Sequence, residues 1–213
     1  MPAGDVSKSL LLELRYMLGD LNAATWSSTD LYSFLADGQQ AVVRELRDAA
    51  LYPLSKVTSA TLTGGTASYA LPSDFLREHV VKYKTLFATR TSLRDLELAD
   101  DTMQDLTETT PYYYIWDGKI QFQVGTVTQA AAETYEVWYI ASPTTISASV
   151  DPLVTTPYFN LLLDYAAHLA YVQNQQEVSA EMHLGFFTDA CQVINAHYGG
   201  PEAWDEPPRD ANP

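Results

Sequence analysis

The chain has 213 residues, 46% of them apolar, one cysteine, and 12 basic against 27 acidic residues for a net charge of −15. This length suits one large domain, or one domain with an insertion, that buries roughly 70% of its unfolded surface. The acidic balance excludes ordinary phosphate-backbone binding, which needs clustered Lys and Arg, but not a place beside DNA without adhesion. A lone Cys191 excludes an intrachain disulfide and a cysteine-based zinc site, and its apolar helical setting marks a buried structural thiol. Met1 leads into Pro-Ala-Gly-Asp rather than a basic start and an apolar core, so no signal peptide is expected. No run nears the ~18 apolar residues of a membrane span. A soluble protein made in a cytoplasm is expected, with no membrane partner.

Helical spacing opens the chain. A first helix runs from about Val6 to Leu18, with Leu10, Leu11, Leu14 and Leu18 on one face, and stops at Gly19-Asp20. Ser27 or Ser28 caps a second; with Ser27 as the cap, Trp26 and Leu31 take the staple positions. Its apolar face is Leu31, Phe34, Leu35, Val42 and Leu46.

From Leu54 the period changes to two. Val57–Leu62 and Ala67–Leu71 flank Thr63-Gly64-Gly65-Thr66, which predicts a thin hairpin projecting from the body. Pro72–Leu76 suggests a single helical turn, His79–Phe87 a strand, and Leu96–Leu106 a short acidic helix. Asp117-Gly118 between Tyr112–Trp116 and Lys119–Val124 predicts a tight hairpin pairing Trp116 with Lys119 and Ile115 with Ile120. Tyr113, Ile115, Ile120 and Phe122 then share a core face, while Tyr112, Tyr114 and Trp116 share the other with Gln121 and Gln123. Tyr135–Ile140 is a further strand, ended by Ser142-Pro143.

Beyond the loop Thr144–Thr156, Pro157 stands at a helix start with Thr156 as cap. Leu162, Ala166, Leu169 and Val172 mark one face, and Ala166, Ala167 and Ala170 allow a neighbouring helix to approach closely. Gln173–Gln176 is a tight connection to a last helix with the face Val178, Met182, Phe186, Ala190, Val193 and His197, stopping at Gly199-Gly200. Pro201–Pro213, with four prolines and four acidic residues around Trp204, cannot pack a core. The expected fold is α+β: an antiparallel helical bundle from residues 1–52 and 150–200, an inserted antiparallel β module over 53–149, and an extended C-terminal arm over 201–213.

No catalytic, cofactor or metal site emerges. Asp164 and His168 read as a solvent-facing helical pair. His183 and His197 lack a third ligand, and Glu97 with Asp100-Asp101 lacks the spacing of a calcium loop. Asp74, His79 and a serine lack a nucleophile elbow around Ser68 or Ser73. Gly64-Gly65 lacks the lysine of a phosphate loop. An enzyme is not expected.

The order of these pieces carries a resemblance: two N-terminal helices, Tyr69-Ala70-Leu71-Pro72-Ser73-Asp74-Phe75-Leu76, then Thr110-Pro111-Tyr112-Tyr113-Tyr114-Ile115 with Asp117-Gly118-Lys119-Ile120, then Tyr135–Tyr139, Pro143, and Asp151-Pro152 leading into Pro157 and Leu161–Tyr171. From about Leu10 to Tyr198 the chain resembles the head-to-tail adaptor (connector) proteins of tailed bacteriophages, the tail tubular protein A type of short-tailed phages in particular. One departure is Val124-Gly125, where a proline-bearing strand end is expected. The resemblance implies a virion protein at the head–tail interface, made in the host cytoplasm, in a ring of about twelve copies. Its implied partners are the portal protein, the tail nozzle or tube, and neighbouring copies, with double-stranded DNA passing through without tight binding. Twelve copies would carry about −180, and a lumen lined by part of that charge repels phosphate. Partner contacts are expected at Trp204, Asp205, Glu206, Pro207 and Pro208 of the arm, at Thr63, Gly64 and Gly65, and at Tyr112, Tyr114 and Trp116. The alternatives are a tail or baseplate component, or a carbohydrate-binding module stacking sugars on Tyr112, Tyr114 and Trp116.

Overall fold

In the computed structural model, which describes residues 4–51, 54–61, 68–92, 94, 111–123, 134–154 and 156–198, helix α1 (Asp5–Leu18) buries Leu10 and Leu14 and ends on Gly19 at φ 66°. Helix α2 (Ser28–Glu45) starts at Ser27, whose hydroxyl accepts the Asp30 N–H at 3.1 Å. Between them Asp20 organises the turn. Its carboxylate accepts the N–H groups of Ala24 (2.8 Å), Thr25 (3.0 Å) and Trp26 (3.0 Å). Buried Arg15 sits 3.1 Å from that carboxylate and donates also to the Trp26 carbonyl and Ser28. The Thr25 N–H above all, with Trp26, Ala24 and Arg15, holds Asp20 below the usual carboxylate range against the opposing effect of burial.

The chain divides into two units, Met1–Leu54 with Ser142–Pro213, and Ser55–Ala141. In the first, a short α3 (Asp48–Leu51), a 3-10 turn (Thr156–Tyr158), α4 (Phe159–Gln173) and α5 (Glu177–Tyr198) follow α1 and α2. Helix α4 packs against α1, α2 and α5, and buries Leu161, Leu162, Leu163, Ala166, Ala167 and Ala170. The three alanines are part of what lets α2 come close. Gly38 is another: a Cβ there would lie 2.9 Å from the Leu162 carbonyl oxygen. The expected start of this helix shifts. Pro157 lies within the 3-10 turn, and α4 begins after Tyr158 without a side-chain cap. The Tyr158 hydroxyl donates instead to the Ala50 carbonyl.

Three long-range polar contacts close this unit. Gln39, fully buried on α2, donates its amide to the Thr144 carbonyl at 3.0 Å and accepts the N–H groups of Leu153 and Val154. Asp151 accepts the N–H groups of Gly4 (3.0 Å) and Ser7 (2.9 Å), so a residue 147 positions beyond Gly4 caps α1. The Ser7 N–H first, and then that of Gly4, holds Asp151 below its usual range. Asn195 on α5 accepts the Arg47 N–H at 2.8 Å and donates to the Glu45 carbonyl at 2.9 Å, capping the end of α2.

The second unit holds two sheets. One has the order β1-β8-β3-β4, from β1 (Ser55–Thr61), β8 (Thr134–Ala141), β3 (Phe75–Tyr83) and β4 (Leu86–Phe87). The other has the order β2-β7-β6-β5, from β2 (Ser68–Ala70), β7 (Lys119–Gln123), β6 (Tyr112–Trp116) and β5 (Thr89–Arg90). These strand pairings are antiparallel except β5 on β6. Their aromatic rings meet between the sheets: Phe122 lies 5.7 Å from Tyr83 and 5.1 Å from Tyr135, which lies 5.3 Å from Tyr69. Burial there pushes the Tyr113 hydroxyl well above its ordinary value.

Several expectations change here. β1 and β2 do not pair with each other. β1 pairs along all of Ser55–Thr61 with β8, and β2 pairs with β7. A strand as poor in apolar residues as β1 gains more from lying beside β8, whose Tyr135, Val137 and Tyr139 are buried, than from a thin hairpin. Phe75 and Leu76 begin β3 rather than completing a helical turn. The strand read over His79–Phe87 breaks at Lys84, φ 56°, into a β3–β4 hairpin. The Asp117-Gly118 hairpin keeps the expected register, Trp116 opposite Lys119 and Ile115 opposite Ile120, with φ 50° and 67° at the turn. Thr63-Gly64-Gly65-Thr66, Leu96–Leu106, Gly199-Gly200 and Pro201–Pro213 lie outside the described residues.

Replacing Gln39 by Leu strands two N–H groups and one carbonyl, so urea unfolding should show a loss of about 3 kcal/mol. Asp20 and Asp151 have lowered folded pKa values. Their contribution is therefore present above the unfolded carboxylate range, about pH 4, and is lost as pH falls through the folded values. The urea midpoint should drop from pH 6 to pH 3, and Asp20→Asn with Asp151→Asn should flatten that dependence.

Candidate functional site

Helix α5 is apolar on two sides. At 3.6 residues per turn, Ala180, His183, Phe187 and Cys191 fall on one stripe, and Val178, Met182, Phe186 and Val193 on another. The first set is buried. The second is exposed, 84% at Val178, 52% at Phe186 and 69% at Val193. The apolar face read from the sequence is thus largely the outer one. Its rival prevails because Phe187 packs edge-on against Tyr165 at 5.0 Å, and His183 stacks on Tyr171 at 5.5 Å while meeting the Asp164 carboxylate at 3.0 Å. The stripe spans about 22 Å of helix at 1.5 Å per residue. Gly185 lies within it, and among the described residues a Cβ there would meet nothing within 4 Å.

Apart from its histidines, the charges that α5 itself carries are all of one sign. Glu177, Glu181 and Asp189 are the only charged residues of α5 besides its histidines, and no lysine or arginine occurs between Lys119 and Arg209. Leu86 and Phe87 on the β3–β4 hairpin are also 37% and 61% exposed. Lys82 Nζ rests 5.3 Å from the Phe87 ring and 5.7 Å from that of Trp138.

The residues singled out from sequence fare as follows. Tyr112, Tyr114 and Trp116 share one face of β6, but only Trp116 is widely exposed, at 64%. Tyr114 is half-buried and donates its hydroxyl to Gln121. Thr63, Gly64, Gly65, Trp204, Asp205, Glu206, Pro207 and Pro208 lie outside the described residues. Asp164 and His168 do not pair with each other. Asp164 meets His183, and the His168 ring meets the Ala180 carbonyl at 2.9 Å, so both join α4 to α5. Asp74 is held by Lys56 at 2.6 Å and by the Tyr139 hydroxyl at 2.9 Å. That arrangement lowers the Asp74 pKa, mainly through Lys56, while burial and Asp74 push Tyr139 up to about 12.

A cavity of about 330 Å³ opens between α2, α4 and α5, with Arg44, Tyr165, Phe187, Cys191 and Asn195 among its walls. Burial pushes the Cys191 thiol up to about 11, so the thiolate a nucleophile requires is scarce near neutrality. Arg44 is paired with Glu45 at 3.1 Å, and Asn195 is used as a cap. Among the described residues, no group of three or more His, Cys, Asp or Glu is placed to hold a metal ion, and no helix is long and apolar enough to cross a membrane.

Among the described residues, the exposed apolar stripe of α5 is the most extended uncovered feature of the helical unit. The sequence model of the family described as SU10 adaptor protein matches residues 1–205. The chain belongs to that family, and it is a structural adaptor of the bacteriophage head-to-tail kind. No curated protein sequence matches it.

The two stripes of α5 should respond differently to truncation. Val178→Ser, Met182→Ser and Phe186→Ser should each leave the unfolding free energy within about 0.5 kcal/mol of the parent chain. Phe187→Ala should cost about 3–5 kcal/mol. Urea titration of the four variants separates the faces.

Proposed function

We propose that this adaptor forms a ring of about twelve copies beneath the portal, carries the tail nozzle or tube, and lets the double-stranded genome pass through its centre. The observation that carries the reading is the exposed stripe of α5, since a contiguous uncovered apolar surface rimmed by charge marks a protein contact. In this reading residues 1–52 and 150–200 act as an antiparallel helical bundle, residues 53–149 as an inserted β module, and residues 201–213 as an arm. Trp204 is the arm's anchor on the portal, with Asp205, Glu206, Pro207 and Pro208 beside it. Thr63, Gly64, Gly65 and the Trp116 face of β6 serve further neighbours. A net charge of −15 per copy supports a lumen that repels phosphate. The chain acts without catalysis, is made in the host cytoplasm, and resides at the head–tail interface.

The free chain should be monomeric or weakly associated by light scattering, and should add a ring to purified portal in negative-stain images. Truncation after Gly200 should leave the melting temperature unchanged but weaken portal attachment, and Trp204→Ala should reproduce much of that loss. Submicromolar duplex binding in a mobility-shift assay at physiological salt, or a portal that never acquires a ring, would overturn the reading.

A further inference from the structure

Val178, Met182 and Phe186 of α5 form one exposed row at a spacing of four residues, and Val193 continues it a heptad beyond Phe186. At 3.6 residues per turn these four side chains span only about 80° of the helix circumference. A face that long and that narrow is a seam for one second helix, whose ridge enters the groove beside the row. Exposed Asp189 falls inside the same arc, between Val178 and Met182 in angle, and exposed Glu181 stands to one side. Among the described residues no ion pair meets either carboxylate. Covering Asp189 with apolar atoms alone would strand a charge, so whatever lies on the row must bring a cation to it.

This chain does not supply that occupant. Leu12 and Tyr16 of α1 stand with exposed Lys8 but also with exposed Asp5 and Glu13. Trp116 stands with Lys119 but also with Asp117, and Phe87 with Lys82, which already faces Glu136 at 4.0 Å. Arg44 is paired with Glu45, and the Arg47 N–H meets Asn195, about 140° round α5 from the middle of the row. Residues 201–213 hold four acids and one arginine, and two whole copies at −15 each repel. We propose that the outer face of α5 docks an amphipathic helix of a different protein, with an apolar seam, lysines or arginines beside it, and a cation opposite Asp189. The assignment rests on the ring reading, in which the stripe is a contact, and gives that contact to a basic partner rather than to a neighbouring copy.

Three fluorescent peptides as long as α5, 22 residues, serve as probes. They share a leucine seam and differ in flanks of lysine, glutamine or glutamate. Anisotropy with the full chain should show the lysine peptide binding on the order of tenfold more tightly than the glutamine peptide, with the glutamate peptide weakest. Raising salt from about 0.1 M to about 1 M should narrow that gap, since the screening length falls from about 10 Å to about 3 Å. Phe186→Ser and Val178→Ser should each weaken the lysine peptide roughly tenfold. Asp189→Asn should remove most of the preference for lysine, whereas Glu13→Gln on α1 should leave it unchanged. Equal binding of the three peptides, or a lysine preference that survives Asp189→Asn, would overturn the proposal. Tighter peptide binding after truncation at Gly200 would give the row to residues 201–213 instead. Self-association in sedimentation that Phe186→Ser abolishes would give it to a second copy, and either result overturns the basic partner. Ring formation on purified portal is scored separately in negative stain. Rings without peptide selectivity sink only the basic partner, and selectivity without rings sinks only the ring reading.

Discussion

The buried amide of Gln39 is the interaction on which the helical unit depends. The chain leaves this unit after Leu54 and re-enters it at Ser142, and the segment that returns must lie against α2 before α4 can begin. A returning loop brings backbone N–H and C=O groups into an apolar interior, where each unpaired group costs free energy. Gln39 answers with both ends of one side chain, giving its N–H to Thr144 and its oxygen to Leu153 and Val154. Neither an aliphatic residue nor a carboxylate of the same length could do both. With that segment fixed, Leu162 can approach Gly38, and the alanines of α4 settle against their neighbours.

What was legible in the sequence divides by distance along the chain. The Asp-Gly hairpin was readable to the residue, because a two-residue turn dictates its own register. Ser27 was readable as a cap and Ala166, Ala167 and Ala170 as buried, small positions, since each depends on neighbours within a turn or two of helix. Gln39 and Asp151 left no signal. Their partners lie 105 or more residues away, and a glutamine in mid-helix or an Asp-Pro pair in a loop has many ordinary readings. The pairing of β1 with β8 was hidden for the same reason, and two adjacent glycines pointed to a local hairpin instead.

The candidate site was legible in composition but not in orientation. Periodicity reveals that a helix has an apolar stripe, and α5 has two. Choosing between them needs the partners Tyr165, Tyr171 and Asp164, which lie on another helix and select the Phe187 side. The rejected stripe is then the informative one. Exposed apolar surface is compatible with solubility when the helix that bears it also carries acids and no lysine or arginine. Cationic surfaces can approach it, and other acidic ones are repelled.

The cap that Asp151 places on α1 also constrains the order in which the protein is made. The N–H groups of Gly4 and Ser7 leave the ribosome well before their acceptor, which follows Gly4 by 147 residues. Until then α1 and α2 carry apolar faces with no α4 to cover them, while the β strands between are synthesised and can pair among themselves. The helical unit therefore folds late and by contacts of high sequence separation, the slow kind. An amber fragment ending before residue 142 would hold a complete β unit joined to two helices that have no core, a species suited to capture by chaperones and proteases rather than to incorporation into a particle.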